Sequence, residues 1–181
     1  MSKSFQNFEY AIQDADELLA HFDALNGNPP PPNSEVLKRA ALVMALTAWE
    51  TYVEDRLTEE MNKKLGLLTG CHVGAFVLKR LQHDLKQFHN PKSDNTKRLF
   101  QEYLGLDVTE GWSWLNYDSE KAKTVLNNLI IKRGEAVHRS RQIPNGPPSA
   151  HLVKRDDLVK AIRFIKDLVS ATEAFIDKNL E

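Results

Sequence analysis

Residues 125–139 read Val125-Leu126-Asn127-Asn128-Leu129-Ile130-Ile131-Lys132-Arg133-Gly134-Glu135-Ala136-Val137-His138-Arg139, an apolar run that closes on a burst of charge. At about 100° per residue, Leu126, Leu129, Ile130, Ala136 and Val137 share one face of a helix. Arg133 falls in the middle of that face. A guanidinium among apolar side chains is costly unless an anion pairs with it. Two readings are open: an acidic partner within the fold, or an anionic ligand from outside. His138 follows five residues later, roughly 140° around the same helix. One straight helix therefore does not aim both side chains at one point. A flexible Arg side chain, a helix end, or a second copy of the helix from another subunit would bring them together.

The chain is helical on either side of this stretch. Asp118-Ser119 supplies an N-cap, so the helix covers about 119–139. Beyond it, Ser140 to Val153 contains Pro144-Asn145-Gly146-Pro147-Pro148 and reads as a surface loop beside the charged end. The last helix covers about 155–179, with Asp156 and Asp157 at its positive end. Leu158, Ile162, Ile165, Val169, Thr172 and Ile176 form its core stripe. Upstream, Leu106 to Tyr117 has no clean period and holds Trp112 and Trp114. Such aromatics can stack on bases or plug the end of a bundle, and the second reading is preferred. A short helix runs through Leu99, Phe100, Tyr103 and Leu104. Another covers about 72–89, where His83 and His89, some 240° apart, read as surface histidines rather than metal ligands.

The longest helix covers about 34–64, capped by Asn33-Ser34. It carries two neighbouring apolar stripes: Leu37, Ala41, Met44, Ala48 and Tyr52, then Leu42, Leu46, Trp49, Val53 and Leu57. So wide a surface covers more than one neighbour. Its Glu54, Asp55, Glu59 and Glu60 read as a solvated face, paired locally with Arg56, Lys63 and Lys64. An amphipathic helix over about 4–25 comes first, followed by Asn26-Gly27-Asn28 and a stiff proline connector, Pro29 to Pro32. The whole reads as an all-α bundle of about five to six helices, with the 119–139 helix and the last helix adjacent.

A chain of 181 residues suits a single domain, here residues 1–181, and can bury a substantial core. The formal net charge is -1, so no global field gathers nucleic acid and any anion site is a local patch. Cys71 is the single cysteine, which excludes an intramolecular disulfide and a cysteine zinc site. With no signal-peptide pattern and no apolar run of membrane-spanning length, a cytoplasmic setting and no membrane partner are expected.

Arg133, four intervening residues and His138 have the form Arg-x4-His. Set after an apolar helix and before a final one, this resembles the motif of the HEPN superfamily. The run Leu46-Thr47-Ala48-Trp49-Glu50-Thr51-Tyr52-Val53-Glu54, in a long early helix, resembles the ribonuclease-L/PSP-associated branch (RiboL-PSP-HEPN). The resemblance covers residues 34–179 and leaves 1–33 as an N-terminal helix plus proline-rich connector. It implies a HEPN-like helical bundle acting as a homodimeric, metal-independent endoribonuclease. Arg133 and His138 would be its catalytic pair, and it would need no cofactor. A toxin or defence effector restrained by an antitoxin or regulatory protein is the setting implied. Active members usually carry a polar residue directly after the Arg; here that residue is Gly134.

Elementary chemistry agrees with the pair. Metal-free RNA cleavage requires a base for the 2′-hydroxyl, stabilisation of the phosphorane charge, and an acid for the leaving oxygen. Imidazole exchanges protons near neutrality, and guanidinium holds two phosphate oxygens at once. One His cannot serve as both acid and base in one step, whereas two motif copies across a two-fold axis supply two. Lys132, Arg139 and Arg141 add an RNA-binding patch around the motif, although a helix C-terminus also collects cations for its own sake. Glu135 either orients His138 or pairs with Arg139. Two competing expectations remain. A non-catalytic module binding RNA, a nucleotide or a protein is kept open by Gly134. A di-metal site is suggested by Glu135-Ala136-Val137-His138, but the chain lacks the second Glu-x-x-His that such a bundle needs.

Overall fold

The computed structural model describes residues 1–25, 31, 34–68, 70–138 and 152–180. Among them, seven α-helices occur: α1 (Lys3–Ala11), α2 (Gln13–Ala24), α3 (Glu35–Leu65), α4 (His72–Leu85), α5 (Ser93–Leu104), α6 (Ser119–His138) and α7 (Arg155–Leu180). A short 3-10 helix, Val108–Gly111, lies between α5 and α6. The all-α expectation therefore holds; the described residues add only one isolated antiparallel bridge, Trp114 to Tyr117.

Helix α3 is the axis of the bundle. Ala41, Leu42, Ala45, Leu46, Ala48, Trp49, Tyr52, Val53, Leu57 and Met61 are buried along it, and α1, α2, α5, α6 and α7 all pack against it. The paired stripes thus cover several neighbours, because burial all round one helix needs apolar side chains on most of its faces. Helices α6 and α7 both pack on α3 and on the 3-10 helix.

Trp49 and Trp112 are fully buried, in an edge-on contact with ring centroids 6.0 Å apart. Their indole N–H groups donate to the Pro91 carbonyl (3.1 Å) and the Thr172 hydroxyl (2.9 Å), so burial leaves neither polar tip unpaired. Trp114 stacks on Tyr117 at 4.9 Å and tilts against Phe164. The 106–117 segment therefore plugs the bundle, as preferred above. Gly111 is needed there, since a Cβ would lie 2.4 Å from Phe175.

Three local expectations are revised. The first helix is two, joined at Ile12. There the Ala15 amide bonds the Ile12 carbonyl three residues back, tightening one turn without glycine or proline. Ser34 does not cap α3 through its side chain; its hydroxyl donates to the Pro31 carbonyl at 2.6 Å. The acidic face of α3 is not simply solvated. Arg56 is 1% exposed and Glu60 is 7% exposed. Arg56 bonds Glu60, as the local pairing predicted, but also Asp177 (2.6 Å) on α7. Its Nε lies 2.8 Å from Glu173, near enough for an ion pair but not aligned as a hydrogen bond. Glu173 also accepts from the Tyr52 hydroxyl (3.0 Å) and the Ser2 amide (2.7 Å). Burial would raise the Glu59 carboxyl, but the Ser4 hydroxyl and amide and Lys63 hold it at about 2. These carboxylates fasten the start of α1 to α3 and α7.

Candidate functional site

Arg133 lies on α6 and reaches toward α3. Its Nη1 donates to Glu50 Oε2 at 2.6 Å, and its Nη2 donates to the main-chain carbonyl of His89 at 2.9 Å. Both members of the ion pair keep some solvent access, 17% for the Arg133 side chain and 18% for Glu50. Of the two explanations for a cation on an apolar face, an internal acid is present. The guanidinium nevertheless sits at the margin of the core, and two bonds do not exhaust its donors.

The seat for Arg133 is firmly built. The connection between α4 and α5 carries His89 and is stitched to two helices. Trp49 of α3 holds Pro91 through its indole. Asn127 of α6 accepts from the Ser93 amide (3.0 Å) and donates to the Ser93 hydroxyl (3.0 Å). Asn127 interrupts the apolar run of α6 for that reason. Glu54, one turn along α3 from Glu50, is held above the ordinary carboxyl range, at about 7. Burial is the main cause, and the like charges of Glu50 and Asp55 add to it.

His138 is exposed, in the last described turn of α6, and no hydrogen bond joins it to Arg133 among the described residues. Their spacing on α6 sets the two positions roughly 140° apart around the helix. Seven residues before His138, and so on the same face, Ile131 is 52% exposed. Gly134 lies on that face too, and a Cβ there would meet nothing within 4 Å among the described residues. Leu126, Ile130 and Ala136 face the core, but Val137, expected with them, is 58% exposed. The stripe leaves the core in this final turn. Lys132 is exposed and Glu135 is half-buried. Arg139 and Arg141 lie outside the described residues, so the basic patch is seen only through Lys132. His83 and His89 do not converge on a metal position: His83 pairs with Gln87 (3.1 Å), and His89 contributes its carbonyl to Arg133. Among the described residues, no group of three or more His, Cys, Asp or Glu side chains could hold a metal ion.

Reading the sequence alone missed Glu50 and His89 as the surroundings of Arg133. Glu50 could have been found, because it is the acid inside the Trp49-Glu50 run that carries the family likeness. The His89 carbonyl has no sequence signal, being a backbone group brought near by the fold.

The RiboL-PSP-HEPN family model matches residues 10–178, nearly the whole chain and including both α3 and the motif helix. Neither a curated protein nor a solved structure matches it. Among the described residues, no helix is long and apolar enough to cross a membrane.

Proposed function

Because the chain belongs to the RiboL-PSP-HEPN family, we propose that it is a metal-independent endoribonuclease acting as a homodimer. Arg133 and His138 from two subunits build a shared cleft. One observation carries the reading: on a single helix, Arg133 is held at the edge of the core with donors to spare, and His138 stands exposed one turn beyond. The exposed Ile131 and the open space at Gly134 share the face of His138. A second α6 can approach closely over such a surface, since a glycine puts no side chain in the way.

In the reaction, one His138 takes the proton of a 2′-hydroxyl, and the oxygen attacks the adjacent phosphorus. The 5′-oxygen leaves with a proton from the second His138. Guanidinium donors of Arg133 stabilise the pentacovalent oxyanions. The products are a 2′,3′-cyclic phosphate and a 5′-hydroxyl end, and DNA resists because it lacks the nucleophile. Lys132, with Arg139 and Arg141, contacts the RNA backbone. Glu135 is an orienting residue for His138. A toxin or defence effector, held in check by an antitoxin or regulatory protein in the cytoplasm, is the role that suits such an enzyme.

A second reading has its own support: Glu50 already balances the charge of Arg133, as would suit a module that binds RNA or a protein without cutting. The deciding experiment is incubation of wild type, Arg133→Ala and His138→Ala with mixed-sequence RNA in a chelator, followed by analysis of the 3′ ends. Cyclic phosphate from wild type is expected, with each substitution lowering the rate by about 100-fold or more. Undiminished cleavage by both variants removes the pair from catalysis. Intact RNA with wild type, but a measurable complex, favours the binding module.

A further inference from the structure

We propose that Glu50 is a positioning residue: with the His89 carbonyl it fixes the plane of the Arg133 guanidinium and moderates its hold on an RNA phosphate. The inference rests on the nuclease reading above and concerns how that site is set.

The geometry is specific. Guanidinium is planar, and its N–H groups point outward in a fixed fork. Glu50 takes one Nη1 hydrogen from the side of α3, and the His89 carbonyl takes one Nη2 hydrogen from the α4–α5 connection. Two acceptors on different elements stop rotation about the last side-chain bonds. Both elements are themselves secured, the connection through the Trp49–Pro91 and Asn127–Ser93 bonds. The remaining N–H groups are left to face a ligand at the partly exposed edge.

The carboxylate also has an electrostatic effect. A lone Arg grips any phosphate, substrate or product, with full charge. An Arg already paired with Glu50 attracts the monoanionic diester less, yet still directs its donors at the additional charge of the phosphorane. That difference between ground state and transition state is what accelerates a reaction.

The test uses Glu50→Gln and Glu50→Ala in the full chain. Cleavage kinetics are followed on RNA, binding on a 2′-O-methyl RNA oligonucleotide that cannot be cut, and the Arg133 guanidinium 15N signal by NMR. Gln keeps an acceptor and removes the charge, so affinity for the 2′-O-methyl RNA rises by about three-fold while the 15N signal stays resolved. Ala removes the tether, so kcat falls by about 100-fold and the signal collapses to that of a freely turning side chain. A purely structural role would lower melting temperature without this opposite movement of binding and kcat. If wild type cleaves and both variants match it in kcat, KM and the 15N signal, the positioning role is wrong and the nuclease stands. If wild type neither cuts nor binds RNA, the nuclease reading falls and takes this role with it. Should Glu50→Ala fail to fold, Glu50→Gln still decides, because unchanged affinity overturns the moderating effect.

Discussion

Two arginines on the bundle make opposite use of the same chemistry. Arg56 is sealed, with three carboxylates around it from α3 and α7. Arg133 has one carboxylate and one carbonyl, and keeps an edge toward solvent. Both were paid for by burying charge, but only Arg56 is spent entirely on holding helices together. The difference shows that burial alone does not mark a functional cation. What matters is whether donors are left over, and whether a second reactive group stands within reach of the open side.

The largest effect that would break this contrast is loss of Arg56. Arg56→Ala leaves three buried or half-buried carboxylates facing one another, and should cost about 3–5 kcal/mol in urea denaturation. A loss near zero would make Arg56 no more structural than Arg133. The matching change at the edge, Arg133→Ala, should cost about 1 kcal/mol or less, since its partner can turn toward water. A loss as large as that of Arg56 would place Arg133 in the same structural class.

Smaller still is Gly134→Ala on the helix that carries Arg133. Among the described residues of one subunit a Cβ there meets nothing within 4 Å, and alanine favours the helix, so the stability of a lone subunit should rise by about 0.5–1 kcal/mol. A loss that appears only at protein concentrations where the chain dimerises would instead mean that a second α6 occupies that space. A further effect depends on pH. Glu54 ionises at about 7 in the fold, against 4.5 ordinarily. Between those values the folded chain keeps a proton that the unfolded chain has released, so Glu54 costs progressively more stability as pH rises. Glu54→Gln should therefore raise the melting temperature at pH 8, with the gain shrinking toward pH 5. An equal gain at both pH values would show that the carboxyl is not perturbed.

Much of the architecture could be read from periodicity. Long apolar stripes set α3, α6 and α7 to within a few residues, and Arg133 stood out because it broke one of them. Trp112 and Trp114 were legible as plugs because a flanking loop without a period still has to bury its aromatics. What stayed hidden was whatever depends on distant partners. Arg56 showed its neighbour Glu60 one turn on, but Glu173 and Asp177 come from the other end of the chain. Glu50 is 83 residues from Arg133, and no local pattern joins them. The break at Ile12 was also invisible, because one tightened turn needs no unusual residue. For the proposed catalytic site, the sequence offered the pair of side chains and the structure added the seat of one of them.

The burial of Trp49 and Trp112 has a practical outcome. Of the three tryptophans, these two are shielded from water and the third is stacked on Tyr117. The native chain should consequently fluoresce toward the blue, and its emission should move to longer wavelengths as the bundle comes apart. Every substitution discussed above can be ranked by that colour change, with no dye attached.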